Sequence, residues 1–220
     1  MKRLLAALFV AVLLTVAQAG ATVVTSIPGG TVYTLPGVNY FGPGPQTVSV
    51  SPSIIWSSTN AFNQGGSVFG YTGGYNFLAN GVWDGALGPM AGLNDSFDVY
   101  GVTDTMTFAF ATPVGAVGGF LNYVPFGSTP TTIAVYDSSH SLIESFNLTF
   151  LTGGGTDTGF FYGFQESTAN ISYFTLTDNY VAIVDLTTGA ASSVPEPSSL
   201  LLIGTGLLGV VGYGRRRLGL

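Results

Sequence analysis

The chain contains no cysteine. That excludes disulfides and thiolate metal sites, whichever compartment the protein reaches. It has a single histidine, His140, so a zinc centre built on several imidazoles cannot form, and any Ser-His-Asp relay would have to use that one residue. The third scarcity is positive charge. Lys and Arg total 5 in 220 residues, and they are Lys2, Arg3, Arg215, Arg216 and Arg217. Residues 20–193 therefore hold no Lys or Arg at all. Of the 11 Asp and Glu residues only Glu196 lies outside that stretch. The formal net charge of −6 thus conceals a strongly acidic central domain, because the two ends carry all the compensating charge. A domain without cations cannot displace counterions from phosphates, which excludes nucleic acid as its partner. Anionic lipid headgroups are excluded for the same reason. Lys and Arg salt bridges are also ruled out, so stability must rest on apolar burial and hydrogen bonds.

What the chain does have is concentrated first at its ends. Lys2 and Arg3 precede an apolar run from Leu4 to Val16, and Ala17, Gln18 and Ala19 form an A-x-A cleavage site. This pattern predicts a secretory signal peptide over residues 1–19, removed by cleavage after Ala19. The bland alternative is a retained N-terminal anchor. At the other end, Pro195, Glu196 and Pro197 interrupt regular structure, since proline stops a helix and biases its predecessor toward extended backbone. A largely apolar run from Leu200 to Tyr213 follows, and then Arg215, Arg216 and Arg217. A helix over 198–214 would span roughly 21–24 Å across its apolar part, a little short of a hydrocarbon core of about 30 Å. The arginines sit where cytoplasmic charge is favoured and can snorkel to extend a short span. Gly204, Gly206, Gly209, Gly212 and Gly214 weaken the helix, as expected of a temporary anchor.

This tail resembles the PEP-CTERM sorting signal of Gram-negative bacteria. Pro195, Glu196 and Pro197, the hydrophobic span, and the cluster Arg215 to Arg217 occur in the required order at the end of the sequence. The resemblance implies recognition by an exosortase, an integral-membrane Cys-dependent transpeptidase. It implies a precursor held in the inner membrane by its C-terminal helix, then removal of the tail and delivery to the cell surface or extracellular matrix. The organisation expected is a signal peptide at 1–19, an extracellular domain at 20–193, and a sorting signal at 194–220.

Between the ends, 32 glycines and 11 prolines across the whole chain punctuate short β-branched and aromatic runs. No amphipathic helical period occurs between 22 and 192. Period-two alternation does. Met106, Phe108 and Phe110 alternate with Thr105, Thr107 and Ala109. Phe146, Leu148 and Phe150 share a face, as do Phe160, Tyr162 and Phe164, and Phe174 with Leu176. Segments 131–136 and 142–151 flank a hairpin turn at Asp137 to Ser141. Further strands are predicted at 22–26, 31–35, 47–50, 54–57, 114–123 and 181–186. The fold predicted is all-β, a two-sheet antiparallel sandwich of jelly-roll type, flanked by an N-terminal signal helix and a C-terminal transmembrane helix.

Residues 60–95 look different, being glycine- and asparagine-rich with Tyr71, Tyr75, Phe77 and Trp83. Read as a long loop, this stretch is a candidate ligand site, because loops often carry function and exposed aromatics stack on sugar rings. Tyr75, Phe77 and Trp83 are its candidate binding residues. The alternative is that Phe77 and Trp83 plug one end of the sandwich. Parts of the domain also resemble the ectodomains of PEP-CTERM proteins of unassigned function, over 80–85, 92–96, 106–123 and 181–186. Some β-sandwich carbohydrate-binding modules end in a similar apolar strand bearing an Asp, which there helps hold structural calcium. This is an analogy of fold.

Calcium is the one cofactor the residues suggest, since it takes six to eight oxygen ligands. Asp84, Asp95, Asp98, Asp104 and Asp185 are its candidates, and a divalent ion would relieve self-repulsion in an acidic domain. The alternative is that these are ordinary turn and strand-edge acids. No catalytic constellation stands out. His140 lies in a tight turn where Asp137 and Ser138 would not form an oriented relay. Glu144 and Glu166 would need to lie about 5–10 Å apart to serve as a glycosidase pair, and nothing in their positions brings them together. The sequence therefore predicts a structural or adhesive surface protein, with no enzymatic role. The alternative is a carbohydrate-binding module acting through 60–95, with exopolysaccharide as its partner.

Overall fold

The computed structural model describes residues 21–60, 66–94, 104–127, 129–178 and 180–192. The predicted signal peptide with Ala17 and Ala19, the predicted transmembrane helix, and the sorting residues Pro195, Glu196, Pro197, Arg215, Arg216 and Arg217 lie outside these residues. So do Asp95 and Asp98. Among the described residues no helix is long and apolar enough to cross a membrane.

Those residues form an all-β structure. The first strands are β1 (Thr22–Val24), β2 (Thr31–Tyr33), β3 (Tyr40–Gly42), β4 (Gln46–Ser51), β5 (Ile54–Ser58) and β6 (Ser67–Tyr71). Two short strands, β7 (Tyr75–Asn76) and β8 (Val82–Trp83), flank a 3-10 turn at Leu78–Asn80. Then come β9 (Met90–Asn94), β10 (Asp104–Val114), β11 (Ala116–Tyr123), β12 (Thr132–Tyr136) and β13 (Leu142–Asn147). The last three are β14 (Phe160–Gln165), β15 (Ile171–Asp178) and β16 (Tyr180–Gly189).

Two antiparallel sheets dominate. One runs β1-β14-β11-β16-β9-β6-β3, with β2 also paired to β16, and the other runs β13-β12-β15-β10-β5-β4. Their apolar faces meet. Trp56 of β5 lies 4.9 Å from Phe69 of β6, and Phe164 of β14 lies 6.4 Å from Phe174 of β15. The period-two reading holds on β10, where Met106, Phe108 and Phe110 are buried against Leu176, Phe174 and the rest of the core. The hairpin turn also forms as expected. Asp137 Oδ1 accepts the amides of Ser139 at 2.8 Å and Ser141 at 2.9 Å, closing the β12–β13 connection.

The predicted strand 114–123 forms from Ala116 onward as β11, while Val114 ends β10; the chain turns at Gly115 and changes sheets there. One expectation needs correction. The stretch 60–95 is not a long loop. It contains β6 to β9, and its two longer strands pair inside the eight-stranded sheet.

Around β6, β9 and β16 the eight-stranded sheet buries both faces. Its inner face gives Phe69, Ala91, Leu93, Val181 and Ile183 to the main core. The alternate residues Val68, Met90, Ala182 and Val184 point to the other face and form a second core with Tyr75, Phe77 and Trp83. The segment from β7 to β8 therefore folds over the sheet as a cover. Segment 151–159 supports it, since Val82 N–H donates to Gly155 O at 2.9 Å and Asp157 N–H donates to Val82 O at 2.7 Å.

Candidate functional site

The cover segment decides the fate of the three aromatics read as a sugar platform. Tyr75, Phe77 and Trp83 are 4, 0 and 1% exposed. Phe77 meets Trp83 edge-on at 5.0 Å, and Trp83 stacks on Phe120 at 6.0 Å. Their polar atoms are engaged internally. Tyr75 OH donates to Leu93 O at 2.6 Å, and Trp83 Nε1–H donates to Thr158 O at 2.7 Å. Burial, with smaller contributions from Tyr180 and Asp178, holds the Tyr75 phenol well above its usual range. No ring face is free for a ligand, and the rings lie against the outer face of the eight-stranded sheet, not at one end of the sandwich as the plugging alternative had them. The sequence reading erred because it took glycine and asparagine density as a mark of exposure. Here those residues make tight turns around buried rings.

A different surface has the form of a binding site. A groove of about 450 Å³ runs along the outer face of the eight-stranded sheet beside the cover. Thr25 to Ile27 and Val32 form one wall, Leu87 closes it on the cover side, and Phe120, Phe161, Asp185 and Thr187 line the sheet. Phe120 and Phe161 are direct cross-strand partners on β11 and β14, so both side chains project from the same face. Glycines make room for them. An added Cβ on Gly118 would lie 3.0 Å from the Phe161 ring, and one on Gly159 would lie 2.9 Å from the Phe120 ring.

Asp185 enters this groove through an irregularity in β16. On one side the partner of β16 changes, from β9 up to Ile183 to β2 from Leu186 onward. On the other side the register with β11 shifts between Gly118 and Phe120. Asp185 lies at both changes with φ of 53°, a left-handed conformation that Asp tolerates better than most residues. Thr187 Oγ1 donates to the Asp185 carbonyl at 2.8 Å and braces the bend. An exposed carboxylate beside two partly buried phenyl rings offers an apolar surface and hydrogen-bond acceptance together. The fold analogy had singled out Asp185. Phe120 and Phe161 were missed, because Phe161 reads as the odd residue between Phe160 and Tyr162.

Of the carboxylates proposed for calcium, Asp84, Asp104 and Asp185 are among the described residues. Asp84 is exposed, and its Oδ1 accepts the Ala86 amide at 2.9 Å in a local turn. Among the described residues no three His, Cys, Asp or Glu side chains gather so as to hold a metal ion. Asp104 is buried at the start of β10, opposite Asp178. His140 stacks on Tyr173 at 4.1 Å, with no relay around it. Glu144 and Glu166 were expected to stand apart, yet the charge of one is felt at the other. Burial, and then the nearby Glu144, raise the Glu166 carboxyl above its usual range. Glu166 is only 3% exposed, so a substrate could not reach it in this structure.

Residues 193–217 match the PEP-CTERM protein-sorting motif, which supports reading the chain as an exosortase substrate. The motif implies an exported, membrane-anchored precursor processed to the cell surface. Comparison with curated proteins and with solved structures gives no match.

Proposed function

We propose that this chain is a structural or adhesive protein of the cell surface or extracellular matrix, a β-sandwich of jelly-roll type without catalytic activity. The observation that carries this reading is the sorting motif, which begins at residue 193, shortly after β16 ends at Gly189. The signal peptide and the terminal arginines supply the export route, and the cation-free acidic domain is what the route delivers. Replacing Pro195, Glu196 and Pro197 together by alanine is expected to leave the precursor in the membrane with its tail intact. The check is cell fractionation with one epitope in the domain and another after Arg217. Unchanged tail removal and unchanged delivery would defeat the sorting reading.

A second reading has an observation of its own. The groove bearing Phe120, Phe161 and Asp185 supports carbohydrate binding, with exopolysaccharide as the candidate partner. It replaces Tyr75, Phe77 and Trp83 as the place to look. Phe161→Ala is expected to weaken binding to a responsive glycan by about tenfold, the equivalent of one lost ring contact of roughly 1.4 kcal/mol. Glycan-array screening followed by titration calorimetry tests this. Binding that survives both Phe161→Ala and Asp185→Ala would remove the groove from consideration.

A further inference from the structure

Glu166 occupies an unusual place. It continues β14 with the parity of Tyr162 and Phe164, so its side chain turns inward. Its backbone is clamped on both sides. Its N–H donates to Gly115 O at 2.7 Å, and its carbonyl accepts the Ser192 amide at 3.0 Å, one residue before the sorting motif. Its Oε1 is buried and has no hydrogen-bond partner. Across the same turn, Asn170 Oδ1 is also buried without a partner. Glu144 approaches from the other sheet on β13, where Phe146 stacks on Tyr162 at 5.5 Å and ties the two strands together.

Both orphaned atoms are oxygens, and both need a positive or donating partner. Leaving a buried polar atom unmet is costly, and leaving a buried carboxylate unmet is costlier. Residues 20–193 have no Lys or Arg to offer, and the only His is stacked on Tyr173 in the β12–β13 turn. The neutralising charge must therefore come from solution, as a proton on the Glu166 carboxyl or as a bound ion. A hard divalent cation takes carboxylate and amide oxygens and completes its shell with carbonyls and water. We propose that Glu166, Glu144 and the Asn170 side-chain oxygen bind a divalent cation of the calcium kind, at the end of the domain from which the sorting tail departs. The ion would link β13, the 166–170 turn and the Ser192 strand exit. This site is distinct from the aspartates that the sequence suggested.

The test uses the full chain, treated with EDTA, dialysed and titrated with calcium chloride. Thermal unfolding is expected to shift upward by about 5–10 °C at a hundredfold excess over the dissociation constant. Calorimetry is expected to count one ion per chain. Glu166→Gln should abolish the shift, and Glu144→Gln, at a more exposed position, should reduce calcium affinity at least tenfold while still folding. Absence of any shift in the unmodified chain would overturn the proposal in favour of a protonated carboxyl. A shift of full size in either variant would also overturn it, by placing the ion elsewhere.

Discussion

Trp83→Ala is expected to destabilise the protein by about 3–5 kcal/mol, the usual cost of removing a fully buried large aromatic. For a domain of this size that corresponds to a fall in melting temperature of roughly 6–20 °C. The indole is the centre of the second core. It touches Phe77 on one side and Phe120 on the other, and its Nε1–H reaches Thr158 O. Truncation removes both ring contacts and a cross-segment hydrogen bond, and it opens space beneath the cover that neighbouring rings cannot fill. Trp83→Phe should recover most of the packing but not the hydrogen bond, and so fall between the two. Circular dichroism during heating measures the series. The opposite outcome, a melting temperature within about 2 °C of the parent together with selective loss of glycan binding, would restore Trp83 as a ligand platform.

The error about Trp83 shows which kinds of structure can be read from a sequence. On β10 and β15 the answer is local. Met106, Phe108 and Phe110 alternate with Thr105, Thr107 and Ala109, and Phe174 and Leu176 alternate with Tyr173, Thr175 and Thr177, because each strand presents one face to the main core. The turn at Asp137 is local too, since one carboxylate caps two amides within four residues. The sheet carrying β6, β9 and β16 breaks this logic, because it is buried on both faces. Val68 and Phe69 are both buried but in different cores, so alternation disappears, and a short run of this kind looks like an aromatic loop. The groove was illegible for another reason. Phe120 and Phe161 become neighbours only through the pairing of β11 with β14, and Asp185 joins them only because β16 changes partners beside it. Glu144 and Glu166 likewise come from chain segments on two different sheets. Each of these sites depends on long-range register, which residue order does not display. The sorting tail is the reverse case, since motif, span and charge follow one another in a fixed order.

Asn80→Ala is expected to cost about 3–5 kcal/mol, although it removes only a small polar side chain. Asn80 is fully buried. Its Nδ2 donates to Tyr123 O at 3.1 Å and to Phe150 O at 3.5 Å, while its Oδ1 accepts the Thr152 amide at 3.1 Å. Its own carbonyl accepts Asn122 Nδ2 at 3.0 Å and the hydroxyls of Thr152 and Thr158 at 2.9 Å each. The residue therefore joins the cover, β11 and segment 151–159 in one network. Gly81 follows with φ of 86°, where an added Cβ would run into Gly155 O, so the turn that aims Asn80 inward has little freedom. Deleting the side chain strands several buried groups, and each costs about 1–3 kcal/mol when left unmet. Asn80→Asp separates hydrogen bonding from packing. It keeps the volume and the acceptor for Thr152, but it turns a donor into a charged oxygen facing two carbonyls, in a domain with no Lys or Arg to offset it. It is expected to be at least as damaging as alanine. Urea unfolding midpoints rank the variants, and a double-mutant cycle with Asn122→Ala should show coupling of about 0.5–3 kcal/mol. An aspartate variant as stable as the parent would mean that shape, and not this network, holds the cover over the sheet.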